Sequence, residues 1–147
     1  MASLDTVRAY LTEEHGLAVV STVQADGSVL STLVNCGVIG HPVSREPRLA
    51  FVSVGGAARL SHIRRGSPLT AAIPRGWNWV SVTGAAELIG PADNTAGLEP
   101  DRIRILLRDI FTAAGGSHDD WDTYDRTMRE EGRTAVLVTP ERIRSNR

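Results

Sequence analysis

Residues 49–65 read LAFVSVGGAARLSHIRR, and this stretch decides how the chain is organised. Leu49 to Val54 is an apolar run of strand length, ended by Gly55-Gly56. A helical stretch follows, with Arg59 in its first turn and Arg64 and Arg65 near its end. A strand, a glycine pair and a helix start beside an arginine make an anion site. Backbone N–H groups at the helix start lack partners, glycines admit close approach, and the guanidinium supplies charge in a planar fork. Phosphorylated cofactors are held by such sites. An ordinary strand-to-helix turn with a surface arginine presents the same residues, so this segment alone leaves both readings open.

Outward from this stretch, the pattern is mostly strands. Ser3 or Asp5 is placed to cap a short helix to about Glu14, with Val7, Tyr10 and Leu11 on one face. Residues 17–24 form a strand, Asp26-Gly27 is a hairpin signal, and residues 28–38 return antiparallel. Downstream, Ser67-Pro68 breaks the helix, residues 69–73 form a short strand, and residues 77–89 a long one. Gly84 within it marks a bulge or a barrel corner. Pro100 suits the first position of a helix carrying Ile103, Leu106, Leu107, Ile110 and Phe111 as one stripe. Ser117-His118-Asp119-Asp120 resembles a capping box for another helix, whose face carries Trp121, Tyr124 and Met128. A last strand covers residues 133–139.

Short turns between most of these strands predict a mainly β (β-rich α+β) fold. It is a six-stranded, mostly antiparallel split β-barrel with flanking α-helices, a single domain over residues 1–147. The GxGxxG fingerprint of a dinucleotide-binding parallel sheet is missing.

Composition narrows the function. The net charge of −1 argues against a nucleic-acid surface. All 16 basic residues are arginine, which excludes Schiff-base chemistry through a lysine. Cys36 is the only cysteine, so intrachain disulfides and CxxC motifs are excluded, and a cytoplasmic setting is expected. The charged N-terminus is not a signal peptide, and no segment approaches the roughly 18 apolar residues of a membrane span. His15, His41, His62 and His118 show no HxH or HExxH spacing, so no metal is expected. There is no GxSxG elbow, and Asp119-Asp120 reads as helix capping. No catalytic side chain is assigned.

Arg75-Gly76-Trp77-Asn78-Trp79 is the second informative segment. It places two tryptophans two apart on a strand, facing one side, in a chain with seven aromatic residues. They could wall a flat ring system, fill core or make a dimer contact.

Four segments, LAVVSTVQADGS, VSVGGAARLSHIRRG, GWNWVSVTGAAEL and SHDDWDTYDRTM followed by RTAVLVTPERI, resemble the pyridoxamine 5'-phosphate oxidase-like, FMN-binding split-barrel superfamily. The closer likeness is to its actinobacterial branch, which binds the deazaflavin coenzyme F420. The resemblance implies a homodimer with two cofactor grooves at the subunit interface. It implies that Arg59, Ser53 and the segment Val54, Gly55 and Ala58 hold the cofactor phosphate, that Thr32 to Asn35 run under the ring, and that Trp77 and Asn78 lie beside it. Many relatives carry a second basic residue where this chain has Ala57. The function so implied is an F420-dependent oxidoreductase passing a hydride from the deazaflavin to an unsaturated small molecule, the electron acceptor. The alternatives are an FMN oxidoreductase of the same fold and a non-catalytic F420 carrier.

Overall fold

The alternating strands predicted around the glycine pair build two antiparallel sheets. The computed structural model describes residues 2–147. Its elements are α1 (Leu4–Glu13), β1 (Leu17–Val23), β2 (Val29–Asn35), β3 (Gly37–Gly40), β4 (Pro47–Ser53), α2 (Ala58–Arg64), β5 (Leu69–Arg75), β6 (Asn78–Gly84), β7 (Ala86–Ile89), α3 (Pro100–Ala113), α4 (Trp121–Glu130), β8 (Thr134–Val138) and β9 (Arg142–Ser145). One sheet has the order β2-β1-β5-β6-β9 and the other β3-β4-β8-β7.

Two of the six expected strands cross between the sheets, so each appears as two elements. The run after the first hairpin breaks at Cys36 into β2 and β3, and the long run from Trp77 breaks at Ala85 into β6 and β7. Gly84 marks the second corner, as its place in the sequence suggested. A Cβ there would run into the carbonyl of Thr139, so only glycine lets the two backbones meet. The strand β9 was not foreseen. Its four residues, RIRS, alternate arginine with smaller residues and pair with β6 at the sheet edge.

The sheets share one apolar interior. Ala18, Val20, Ala71 and Val82 from one sheet meet Leu49, Phe51 and Val136 from the other. Val7, Tyr10 and Leu11 of α1 and Leu60 and Ile63 of α2 complete that interior. α3 instead lies on the other face of the smaller sheet, where Leu106, Leu107 and Ile110 bury Ala50, Ala135 and Leu137. Helix starts follow local chemistry, with one change from expectation. Pro100 opens α3 as predicted. The cap of α4 is Asp120 rather than Ser117: its carboxylate accepts from Thr123 N at 3.1 Å and Thr123 Oγ1 at 2.6 Å.

Among the described residues, no element covers the outer face of the five-stranded sheet. Register aligns Val19 with Leu33 and Val23 with Val29 on that face, and Leu33 is 62 % exposed.

Candidate anion-binding groove

The site is assembled from β2, β4 and α2. Alternation along β4 turns Phe51 and Ser53 to the buried side. The chain then passes Gly55-Gly56 and enters α2, where Arg59 is the second residue. Its guanidinium lies 5.7 Å from the Phe51 ring centroid. Nη1 donates to Ser53 Oγ at 2.9 Å and Nη2 to Thr32 Oγ1 of β2 at 2.8 Å. The Ser53 hydroxyl donates its own proton to Val54 O at 3.1 Å, which leaves its oxygen to accept from the arginine. Three expected residues, Thr32, Ser53 and Arg59, therefore converge.

What Arg59 lacks matters as much. Its Nε is buried without a partner, and among the described residues no carboxylate pairs with the group. Burial alone pushes its pKa below the ordinary arginine value, while the group stays charged at neutral pH. A half-buried cation facing only hydroxyls and a ring carries uncompensated charge. An anion at this position would supply the missing partner.

Gly55 has a different role from the one its sequence suggested. Gly55 N donates to Glu131 O at 3.1 Å and Ala57 N to Val54 O at 3.1 Å, so these N–H groups are already engaged. A Cβ on Gly55 would lie 2.5 Å from Gly132 O. Gly55 thus serves the packing of the β4–α2 turn against the α4–β8 turn, and Gly56 alone faces open space. α2 has seven residues and its cap, Ala57, has no capping side chain. Attraction for an anion here rests on the guanidinium rather than on the helix.

Arg59 lines a groove of about 450 Å³ that also takes in Asn35, Val54, Phe111, Tyr124 and Met128. Asn35 and Val54 were expected there. Ala58, also expected, sits exposed at the α2 start beside Arg59. The wall from α3 and α4 was not expected. Phe111, Trp121 and Tyr124 pack edge-to-face or tilted against one another and against His118, with Phe111 and Tyr124 centroids 5.0 Å apart. The Tyr124 hydroxyl donates to Leu107 O at 3.1 Å. Burial pushes its pKa up to about 12, so it is a fixed donor rather than a base at neutral pH. The apolar stripe of α4 signalled burial, but stripe periodicity does not say which cleft a helix will wall.

Trp77 and Asn78 sit elsewhere in the chain. Trp77 lies in the β5–β6 turn and Asn78 opens β6, three strand spacings or about 15 Å across the sheet from β2. Asn146 pins the turn, donating to Trp77 O at 3.1 Å and accepting from Trp79 N at 2.9 Å. The Trp77 side chain stands in solvent, with the residue 97 % exposed. Neither residue lines the Arg59 groove.

No protein-family model matches the sequence, and neither does any curated protein. Solved structures do match. The Rv2991 protein of Mycobacterium tuberculosis superposes with a TM-score of 0.70 at 16 % identity, over 99 % of this chain and 84 % of that one. A pyridoxamine 5'-phosphate oxidase-related, FMN-binding protein of Nostoc punctiforme gives 0.65 at 15 % identity, over 99 % and 84 %. A protein named F420 reductase gives 0.60 at 13 % identity, over 87 % and 88 %. The fold is that of pyridoxamine 5'-phosphate oxidase-like proteins. At these identities the likeness establishes the architecture, two antiparallel sheets with four helices. Among the described residues, no helix is long and apolar enough to cross a membrane.

Proposed function

We propose that this chain is an oxidoreductase of flavin type, with coenzyme F420 as its cofactor and an unsaturated small molecule as electron acceptor. The observation that carries this reading is Arg59: a half-buried guanidinium with no acid partner and an unpartnered Nε, set in a groove. The residues fit a phosphate-bearing cofactor. Arg59 would hold the phosphate, with Ser53 and Thr32 fixing the guanidinium plane. Val54, Asn35 and the Phe111–Tyr124 wall would orient the ring and keep water from it. When bound, the deazaflavin supplies the hydride-transfer chemistry, so no side chain need act as a nucleophile. FMN is the second reading, because it also ends in a phosphate that the same arginine would hold.

The proposal includes a homodimer formed through the open face of the five-stranded sheet. Leu17, Val19, Val23, Val29 and Leu33 lie exposed there, as does Trp79. A sheet face this apolar, with no helix on it, supports burial against a second copy. In such a dimer Trp77 and Asn78 would complete the partner's groove rather than their own.

Fluorescence titration of the purified protein with F420 and with FMN tests the cofactor. Tighter binding of F420 is expected, and saturation by FMN alone would replace it with the second reading. Arg59→Ala should weaken binding about 10- to 100-fold, the equivalent of a charge-assisted contact worth about 1.5–3 kcal/mol. An unchanged dissociation constant would remove Arg59 from the site.

A further inference from the structure

A second cavity lies outside the groove, between α3, α4 and the segment joining β7 to α3. It encloses about 470 Å³, a volume suited to a small organic ligand. Its walls are apolar, built chiefly from Pro91, Leu98, Ile103, Leu107 and Met128. Its polar side chains are three guanidinium groups, two carboxylates and one amide. Arg104, Arg129 and Arg133 line it together with the carboxylates of Asp101 and Asp125.

Those carboxylates are already matched. Asp125 is held in a fork by Arg108 and receives Arg104 Nη1 at 3.4 Å. Asp101 receives Arg104 Nε at 3.2 Å. Arg133 pairs with Glu131 at 2.7 Å. The amide of Asn94, also in the lining, is held at both ends by the backbone of Leu98. Arg129 has no acid partner among the described residues, and it lies exposed on α4. The lining thus offers apolar surface and, in Arg129, one guanidinium without an acid partner, with no hydroxyl side chain to read a sugar.

We infer that this cavity binds an apolar molecule carrying a carboxylate, its body against Leu98, Ile103 and Leu107 and its charged end toward Arg129. The inference does not rest on a cofactor in the Arg59 groove. The two spaces are neighbours, since Met128 and Arg133 line both.

Fluorescence of anilinonaphthalene sulfonate, an apolar anion, tests the site, with neutral phenylnaphthylamine as its uncharged counterpart. In the Arg59→Ala background the sulfonate should bind at one saturable site per chain, at least fivefold more tightly than the neutral probe. Decanoate should displace it and decanol should not. Leu107→Trp, which fills the cavity, should weaken binding at least tenfold, and Arg129→Gln should abolish the preference for the anion. Working in Arg59→Ala removes the groove's own attraction for an anion, which separates this result from the fate of the cofactor reading. Circular dichroism checks that Leu107→Trp folds, and Ile103→Phe provides a second, milder filling. Unchanged probe binding in folded filled variants would overturn the site. Equal displacement by decanol and decanoate would overturn the carboxylate.

Discussion

Arg59 and Arg108 sit in closely similar surroundings with opposite outcomes. Each guanidinium lies over an aromatic ring, Arg59 over Phe51 at 5.7 Å and Arg108 over Trp121 at 5.1 Å. Each is drawn partly out of solvent. Arg108 is locked to Asp125, whose hydrogen bonds hold the guanidinium pKa above its ordinary value. Arg59 has only hydroxyls, and burial pushes its pKa the other way. The difference is one carboxylate. Where the chain supplies the acid, the cation ties helices together, here α3 to α4. Where it withholds the acid, the cation is left to be matched from outside.

The strongest way to break this contrast is to give Arg59 an internal acid. Thr32 Oγ1 already lies 2.8 Å from Nη2, so Thr32→Asp would place a carboxylate at that position. Cofactor affinity should fall by roughly 100-fold, about 3 kcal/mol, with the thermal midpoint unchanged or raised. Retained affinity by calorimetric titration would show that Arg59 is not the anchor. The reverse operation is Asp125→Asn, which strips Arg104 and Arg108 of their shared partner. The melting midpoint should drop by several degrees while affinity in the groove stays within twofold of the parent. A loss of cofactor affinity without a loss of stability would contradict the division between the two regions.

A smaller effect is expected from Trp77→Ala. An exposed turn residue contributes little to the stability of its own subunit. In the proposed dimer, stacking against a cofactor in the partner's groove would make its loss a roughly two- to tenfold fall in affinity, with the association state unchanged by sedimentation. Dissociation of the dimer would assign the tryptophan to the interface instead. Smallest is the acid limb of stability. Hydrogen bonds from Arg108 hold the Asp125 pKa below the ordinary carboxylate range. Its contribution is therefore complete above the unfolded value near 3.9 and is lost as pH falls through the lower folded value. Asp125→Asn should flatten that limb in pH-dependent melting, and an unchanged limb would exclude this ion pair as its source.

The sequence made one side of the site legible and hid the other. Alternation through Leu49–Ser53, the glycine stop and Arg59 are local signals, and a strand followed at once by a helix leaves few places for the guanidinium to go. Gly84 was legible for a similar reason, since a glycine inside a strand pattern has few uses other than a corner. The Phe111–Tyr124 wall was not, because its place depends on how α3 and α4 dock against the sheet. The role of Gly55 was misjudged because the carbonyl it admits belongs to Gly132, far along the chain. The match of Asp125 to Arg104 and Arg108 was hidden in the same way, by a separation of 17 to 21 residues.

The central claim is that the Arg59 guanidinium binds the phosphate of a flavin-type cofactor, and a two-by-two comparison of affinities tests it most directly. F420 and its phosphate-free deazaflavin core would each be titrated into the parent protein and into Arg59→Ala. Roughly tenfold or greater preference for the phosphorylated form is predicted in the parent, vanishing in the variant. The same preference in both proteins, or none in the parent, would contradict the account.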